Sequence, residues 1–209
     1  MKSGSGCVGL AGKSSRWSCF RALTVIFLLL AVPAGAYAAP PKPAARATAH
    51  VYLLRGVLNV FSLGMDQIAS KLQQQGIRAS VSNYLFWSSV ADEAAADYRS
   101  GRVRTIILVG HSSGATVLPD VVERLNRHGV PVKLAIGLDS VFHTTLSGRV
   151  GRYINFYIGN GVGTPVARGK QLQGELTNVD VERMGVGHIT IDKSEVLQQR
   201  IIAAILSAL

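Results

Sequence analysis

Apolar residues along this chain fall into two kinds of run, continuous blocks and helix-spaced stripes, and the two alternate. HVYLLRGV, 50–57, is a short apolar block ending near Gly56 and reads as a buried strand. Residues 62–75, SLGMDQIASKLQQQ, put Leu63, Ile68 and Leu72 near one helical face, with Ser62 as the cap and Gly76 as the stop. RASVSNYLF, 78–86, alternates and predicts a second strand. DEAAADYRS, 92–100, predicts a helix with Asp92 and Glu93 in its first turn.

RTIILVG, 104–110, is the clearest strand, and its unbroken Ile-Ile-Leu-Val run implies burial on both faces. A helix over about 113–128 presents Val117, Val121, Val122 and Leu125. PVKLAIGLD, 131–139, predicts another buried strand, with Pro131 at its first position. RYINFYIG, 152–159, predicts a fifth. Residues 160–187 are rich in Gly and polar residues without a clear period, so they read as largely loop. A helix over 194–208 shows Val196, Leu197, Ile201, Ile202 and Ile205 on its apolar side. This order predicts an α/β domain over 50–209: an open, mostly parallel sheet with helices on both faces, joined by right-handed crossovers.

The first 49 residues follow a different pattern. Lys2, Lys13, Arg16 and Arg21 precede ALTVIFLLLAV, 22–32; Pro33 and Gly35 break that run, and Ala36-Tyr37-Ala38 follows. Positive start, apolar centre and small-residue end are the three parts of a secretory signal, predicted over 1–38. The alternative is an uncleaved anchor, although the apolar run is short of the ~20 residues a crossing needs. Residues 39–49, APPKPAARATA, read as a flexible leader. The domain is thus expected outside the cytoplasm, periplasmic or secreted.

Both cysteines, Cys7 and Cys19, lie ahead of the apolar run, so the exported domain is expected to hold no disulfide, thiol nucleophile or thiolate metal site. The formal net charge is +10, and four of its positive charges sit in residues 1–38. The remaining Arg and Lys are scattered, with no basic run interleaved with aromatics, which argues against nucleic acid. A mildly positive surface attracts anions, membranes or cell-wall polymers, and peripheral envelope association stays open.

Ligands of open parallel sheets bind at the carboxyl ends of the strands. There the chain carries Gly110-His111-Ser112-Ser113-Gly114, a G-x-S-x-G nucleophile elbow between a buried strand and an amphipathic helix. The two glycines leave room for a tight turn that lifts the Ser112 hydroxyl over the sheet. The Ser113 N–H, at the start of the helix, is one expected oxyanion donor.

A serine needs a base. His50 and His128 are expected at the far end of the sheet, His128 as a cap of helix carbonyls, and His111 is expected to pack inside the elbow. His188, in MGVGHITID just before the last helix, is the expected base, with His143 as rival. The base needs an orienting acid. Asp139, closing KLAIGLD, is the expected one; Asp180 in NVDVERM is the main rival, and Asp192 reads as the cap of the last helix. A second oxyanion donor is expected from Val57 or Leu58 after Gly56, with Arg55 orienting that loop or binding an anion. Leu58, Val60 and Phe61 either line an acyl pocket or anchor the next helix. There is no phosphate-binding glycine loop, no dinucleotide fingerprint and no dense metal-ligand spacing, so neither cofactor nor metal is expected.

VGHSSGA, GLDS and GVGHITI, in that order, resemble the nucleophile elbow, acid-bearing strand end and histidine loop of the α/β-hydrolase superfamily, especially its small lipase- and esterase-like members. The resemblance covers roughly 50–208. It implies Ser112 as nucleophile, Asp139 as acid and His188 as base. It also implies hydrolysis of carboxylic esters, small or polymer-linked, through an acyl-enzyme, with no cofactor. Thioester hydrolysis or acyl transfer would use the same groups, and a non-catalytic envelope binding or scaffold protein on this fold is the other alternative. The chain departs from the family pattern at Arg55-Gly56, where many members have His-Gly. It departs again in placing its acid one strand early, Asn160 standing at the usual position. It is too short for a large lid and lacks the first antiparallel strands.

Overall fold

The computed structural model describes residues 43–57 and 59–209. The expected export signal over 1–38, the start of the leader, and Leu58 lie outside the described residues.

Elements appear in the order helix α1 (Pro43–Ala47), strand β1 (Ala49–Arg55), helix α2 (Gly64–Gln73), strand β2 (Arg78–Asn83), helix α3 (Trp87–Arg99) and strand β3 (Thr105–His111). Helices α4 (Ser113–Thr116) and α5 (Leu118–Arg127) and strands β4 (Val132–Leu138), β5 (Thr145–Leu146) and β6 (Arg149–Tyr157) follow. Strands β7 (Ala167–Arg168) and β8 (Gln173–Asp180) and helix α6 (Glu195–Ser207) complete the chain. Six strands form one sheet in the order β2-β1-β3-β4-β6-β8, and every pairing in it is parallel.

The continuous apolar runs work because neighbouring strand residues point to opposite faces. On β3, Ile106 and Leu108 join a core with Val121, Val122 and Leu125 of α5 and Ala94 and Ala95 of α3. Ile107 and Val109 join the opposite core with Ile68 and Leu72 of α2 and Leu197, Ile201 and Ile205 of α6. Helices therefore cover both faces, as the alternation predicts, and among the described residues there is no extended lid.

Four details differ from the sequence expectation. The leader is ordered near its end: α1 forms, Arg46 donates to the Gln75 carbonyl at 3.2 Å, and Ala49 already pairs with Thr105. Helix α3 begins at Trp87, so Asp92 lies in its second turn, where it pairs with Arg124. The helix after the elbow is broken at Val117, because Pro119 in the first turn of α5 cannot donate an N–H to the turn before it. Residues 160–187, otherwise loop for the most part, also contain β8, the sixth strand of the sheet, along with the short β7.

Candidate active site

The order β2-β1-β3 means that the chain steps one way after β1 and returns to the other side of it with β3. The connections leaving these two neighbours pass to opposite faces: α2 packs in one core, and α3 and α5 in the other. A crevice opens between their carboxyl ends, the place where such sheets bind ligands. Gly56 follows β1 there and Ser112 follows β3. A Cβ built on Gly56 would lie 2.7 Å from the Ser112 Cβ and 3.1 Å from its Oγ, so Gly56 is glycine for closeness to the serine.

Ser112 has φ 58° and ψ −124°, a conformation unfavourable to a side chain. The elbow glycines make it possible. A Cβ on Gly110 would sit 2.4 Å from the Gly114 carbonyl oxygen, and one on Gly114 would sit 2.1 Å from the Leu54 carbonyl oxygen. Both clashes are with backbone and cannot be relieved by a rotamer change. Gly114→Ala is therefore expected to destabilise the domain by about 3–5 kcal/mol, the range of severe core lesions. Urea titration of the purified variant checks this, and a midpoint equal to wild type would refute the packing described.

Three side chains from three elements meet at the crevice. His188 Nε2 lies 2.9 Å from Ser112 Oγ, and His188 Nδ1 lies 2.6 Å from Asp139 Oδ2. The carboxylate can only accept, so Nδ1 carries the proton and the neutral ring presents its Nε2 lone pair to the Ser112 hydroxyl. Asp139 is fully buried, and its other oxygen accepts the Ile158 N–H at 2.9 Å. It too has a positive φ, 52°, which Asp adopts more readily than most residues. Gly163 packs against it: a Cβ there would fall 1.8 Å from Asp139 Oδ1. Only Asn59 joins Ser112 and Asp139 as a non-glycine residue with positive φ among the described residues.

The other side of the crevice is held by the loop after β1. Arg55 makes a two-pronged pair with Asp66 in the first turn of α2, using Nε to Oδ2 at 3.0 Å and Nη2 to Oδ1. It thus orients the loop and is engaged by protein. Val57 follows Gly56 directly and is half exposed, and Ser113 opens α4 beside the serine. Leu58, the alternative donor, lies outside the described residues.

No protein-family model matches the sequence, and no curated protein matches it either. Solved structures do match its shape. Human thioesterase 2 superposes with a TM-score of 0.51 at 8% identity, over 78% of this chain and 96% of that one. BorB, the type II thioesterase from the borrelidin biosynthetic cluster, gives 0.50 at 12% identity, over 80% and 95%. The chain has the α/β-hydrolase fold.

Within the α/β-hydrolase fold the rival residues stand apart from the serine. Asp180 accepts the N–H groups of Gly159 and Glu182 at 3.1 and 2.9 Å and so closes the end of β8. Asn160 and His143 are exposed on loops. His50 is buried at the amino end of β1, stacked on Tyr52 and 3.0 Å from Ser80 Oγ, and burial holds its imidazole down to about 4. His128 caps α5 as expected, its backbone N–H donating to the Arg124 and Leu125 carbonyls at 3.3 and 3.0 Å, while its ring faces Asp92 at 3.3 Å.

Asp192 and Ser62 correct the sequence reading. Asp192 does not cap α6, where Ser194 takes the terminal position; it is buried and accepts the Gly64 N–H at 2.8 Å, closing the start of α2 from 128 residues away. Ser62 does not cap α2: its Oγ accepts the Gly56 N–H at 3.0 Å, inside the crevice wall. Val60 and Phe61 anchor no helix. They are exposed, as are Val57, Leu63, Leu85, Phe86, Phe142 and Ile189. All of these follow strand carboxyl ends or flank His188, the end of the sheet that carries Ser112. Among the described residues no group of three His, Cys, Asp or Glu side chains is placed to hold a metal ion.

Proposed function

We propose that the protein is a serine hydrolase that cleaves acyl thioesters through an acyl-enzyme, with oxygen esters as slower substrates. The unbroken chain of hydrogen bonds from Ser112 through His188 to buried Asp139 carries this reading. His188 Nε2 takes the Ser112 proton as Oγ attacks the acyl carbonyl. The oxyanion that forms meets the N–H groups beside it, those of Ser113 at the start of α4 and of Val57 after β1. Collapse expels the thiolate, which takes the proton from His188, and a water activated by the same Nε2 then releases the acid. Asp139 stays ionised and holds the ring in the tautomer that makes Nε2 a base.

Two observations support an acyl thioester. The named structures that share the fold are thioesterases. The exposed apolar side chains at the Ser112 end of the sheet offer a surface for an acyl chain. A non-catalytic protein would have no use for two strained residues bonded through one histidine. The test is a matched pair of substrates, one acyl group carried on N-acetylcysteamine and on ethanol. The thioester should show a kcat/KM at least about tenfold higher, equal to about 1.4 kcal/mol of transition-state preference. Hydrolysis of neither, or a clear preference for the oxygen ester, would overturn the proposal.

A further inference from the structure

His111 sits in the elbow beside Ser112, yet its side chain points the other way. Its ring is buried, 1% exposed, and both nitrogens are occupied. Nε2 lies 2.8 Å from the His188 carbonyl oxygen, and Nδ1 lies 2.8 Å from Ser62 Oγ. Ser62 Oγ in turn lies 3.0 Å from the Gly56 nitrogen.

The directions of these bonds follow from the groups involved. A carbonyl oxygen only accepts, so Nε2 carries the hydrogen. In a neutral ring Nδ1 then has the lone pair, and the Ser62 hydroxyl must donate to it. That leaves the Ser62 oxygen to accept the Gly56 N–H. Every polar atom in the series is satisfied in one way only. Burial pushes the His111 pKa down and keeps the ring neutral. The charged or titratable groups that face it are Asp192, with Oδ2 4.0 Å from Nδ1, His188 at 5.2 Å between ring centroids, and Lys193. The Asp192 carboxylate favours the charged ring, but Oδ2 already accepts the Gly64 N–H and the ring's own Nδ1 is held by Ser62.

We infer that His111 is a positioning residue, a neutral strut that ties the backbone of the His188 loop to the Gly56 loop across the crevice. The two loops it joins carry the base and one wall of the oxyanion site, so the inference rests on the proposed serine chemistry. Ser112 is fixed by the elbow itself. Asp192 with the Gly64 N–H and Lys193 with the Phe61 carbonyl, both at 2.8 Å, also tie the two segments, but farther along the chain from Gly56 and His188, so the strut is the tie that acts at those two residues. A displacement of about 1 Å between reacting groups costs on the order of a hundredfold in rate.

The experiment uses a fluorophosphonate probe on wild type, His111→Phe, His111→Gln, Ser62→Ala and the double variant His111→Phe/Ser62→Ala. Thermal midpoints and ¹⁵N shifts of the His111 ring are measured alongside. Phenylalanine keeps the ring volume and loses both bonds, so labelling should slow about 30- to 100-fold. Glutamine has a donor and an acceptor at nearly the imidazole spacing and should restore labelling to within about threefold of wild type, as matched bonding predicts. Ser62→Ala should slow labelling about tenfold, and the double variant should be no slower than His111→Phe alone, as for two members of one unit. The ring should read as the Nε2–H tautomer at pH 7.

Wild-type labelling rates in folded His111→Phe would overturn the inference. So would a glutamine variant as slow as phenylalanine, additive effects in the double variant, or an Nδ1–H tautomer. If His111→Phe does not fold, Ser62→Ala and the ring shifts decide. If wild type itself fails to label while the Nε2–H tautomer is present, the serine chemistry fails and the bond series stands.

Discussion

Ser112→Ala is expected to abolish fluorophosphonate labelling and to lower acyl hydrolysis by at least about a thousandfold, with the fold intact. The hydroxyl is the group that His188 Nε2 reaches, at 2.9 Å, and alanine removes it without disturbing Cβ. The crevice would keep its shape, since Gly56 packs against the Ser112 Cβ. The backbone strain also stays, because alanine tolerates φ 58° no better than serine does. A glycine at the same position should be equally inactive and more stable, by about 1–3 kcal/mol if the strain is fully released. Covalent labelling by mass spectrometry and a thermal melt of both variants check the pair of effects. Labelling that persists in Ser112→Ala would end the assignment.

Asp139→Asn is expected to cut kcat by about three to four orders of magnitude, as loss of the carboxylate does in other serine triads. Asp139 accepts two N–H groups, from His188 and from Ile158, in a site closed to water. Asparagine has one oxygen. If that oxygen keeps Ile158, its amide N–H₂ faces His188 and forces Nδ1 to become the acceptor. Nε2 then carries the proton and cannot take another from Ser112. If the oxygen keeps His188, a buried N–H₂ faces the Ile158 N–H, at a cost of about 1–3 kcal/mol. Asp180→Asn is the control. It breaks bonds at the end of β8 and should leave kcat within a few fold of wild type. The reverse result, with Asp180 the essential acid, would overturn the pairing of Asp139 with His188.

What could be read from the sequence is what depends on local pattern. β1, β3 and β4 announce themselves because burial on both faces demands unbroken apolar runs, and VGHSSGA announces a tight turn because its glycines stand where backbone meets backbone. β8 escapes this logic. It is an edge strand, QGELTNVD, with no buried residue, and its pairing with β6 rests on backbone bonds that any sequence can make. Helix α3 was expected to begin at its acids. Its start is set instead by the turn Tyr84–Phe86, which Asn83 caps by accepting the Leu85 N–H. Asp192 looks locally like a cap for the following helix, but its partner is Gly64. Gly163 carries no signal beyond being a glycine in a loop, and its closeness to Asp139 exists only once the sheet is built. Apart from the local turn before α3, each miss involves a contact between parts of the chain that no short window contains.

The bond from Asp192 to the Gly64 N–H, with 128 residues between its ends, bears on how the site comes into being during synthesis. The first strands, Ser112 and Asp139 are all made before His188, and Asp192 is among the residues that fasten the His188 segment, by its bond to the start of α2. Helix α6, whose Leu197, Ile201 and Ile205 complete one core, follows His188 in the chain. A nascent chain that has emerged only through β8 therefore carries its serine and its acid without a base between them. The contacts that join Ser112, His188 and Asp139 can form only once the chain through His188 has been made.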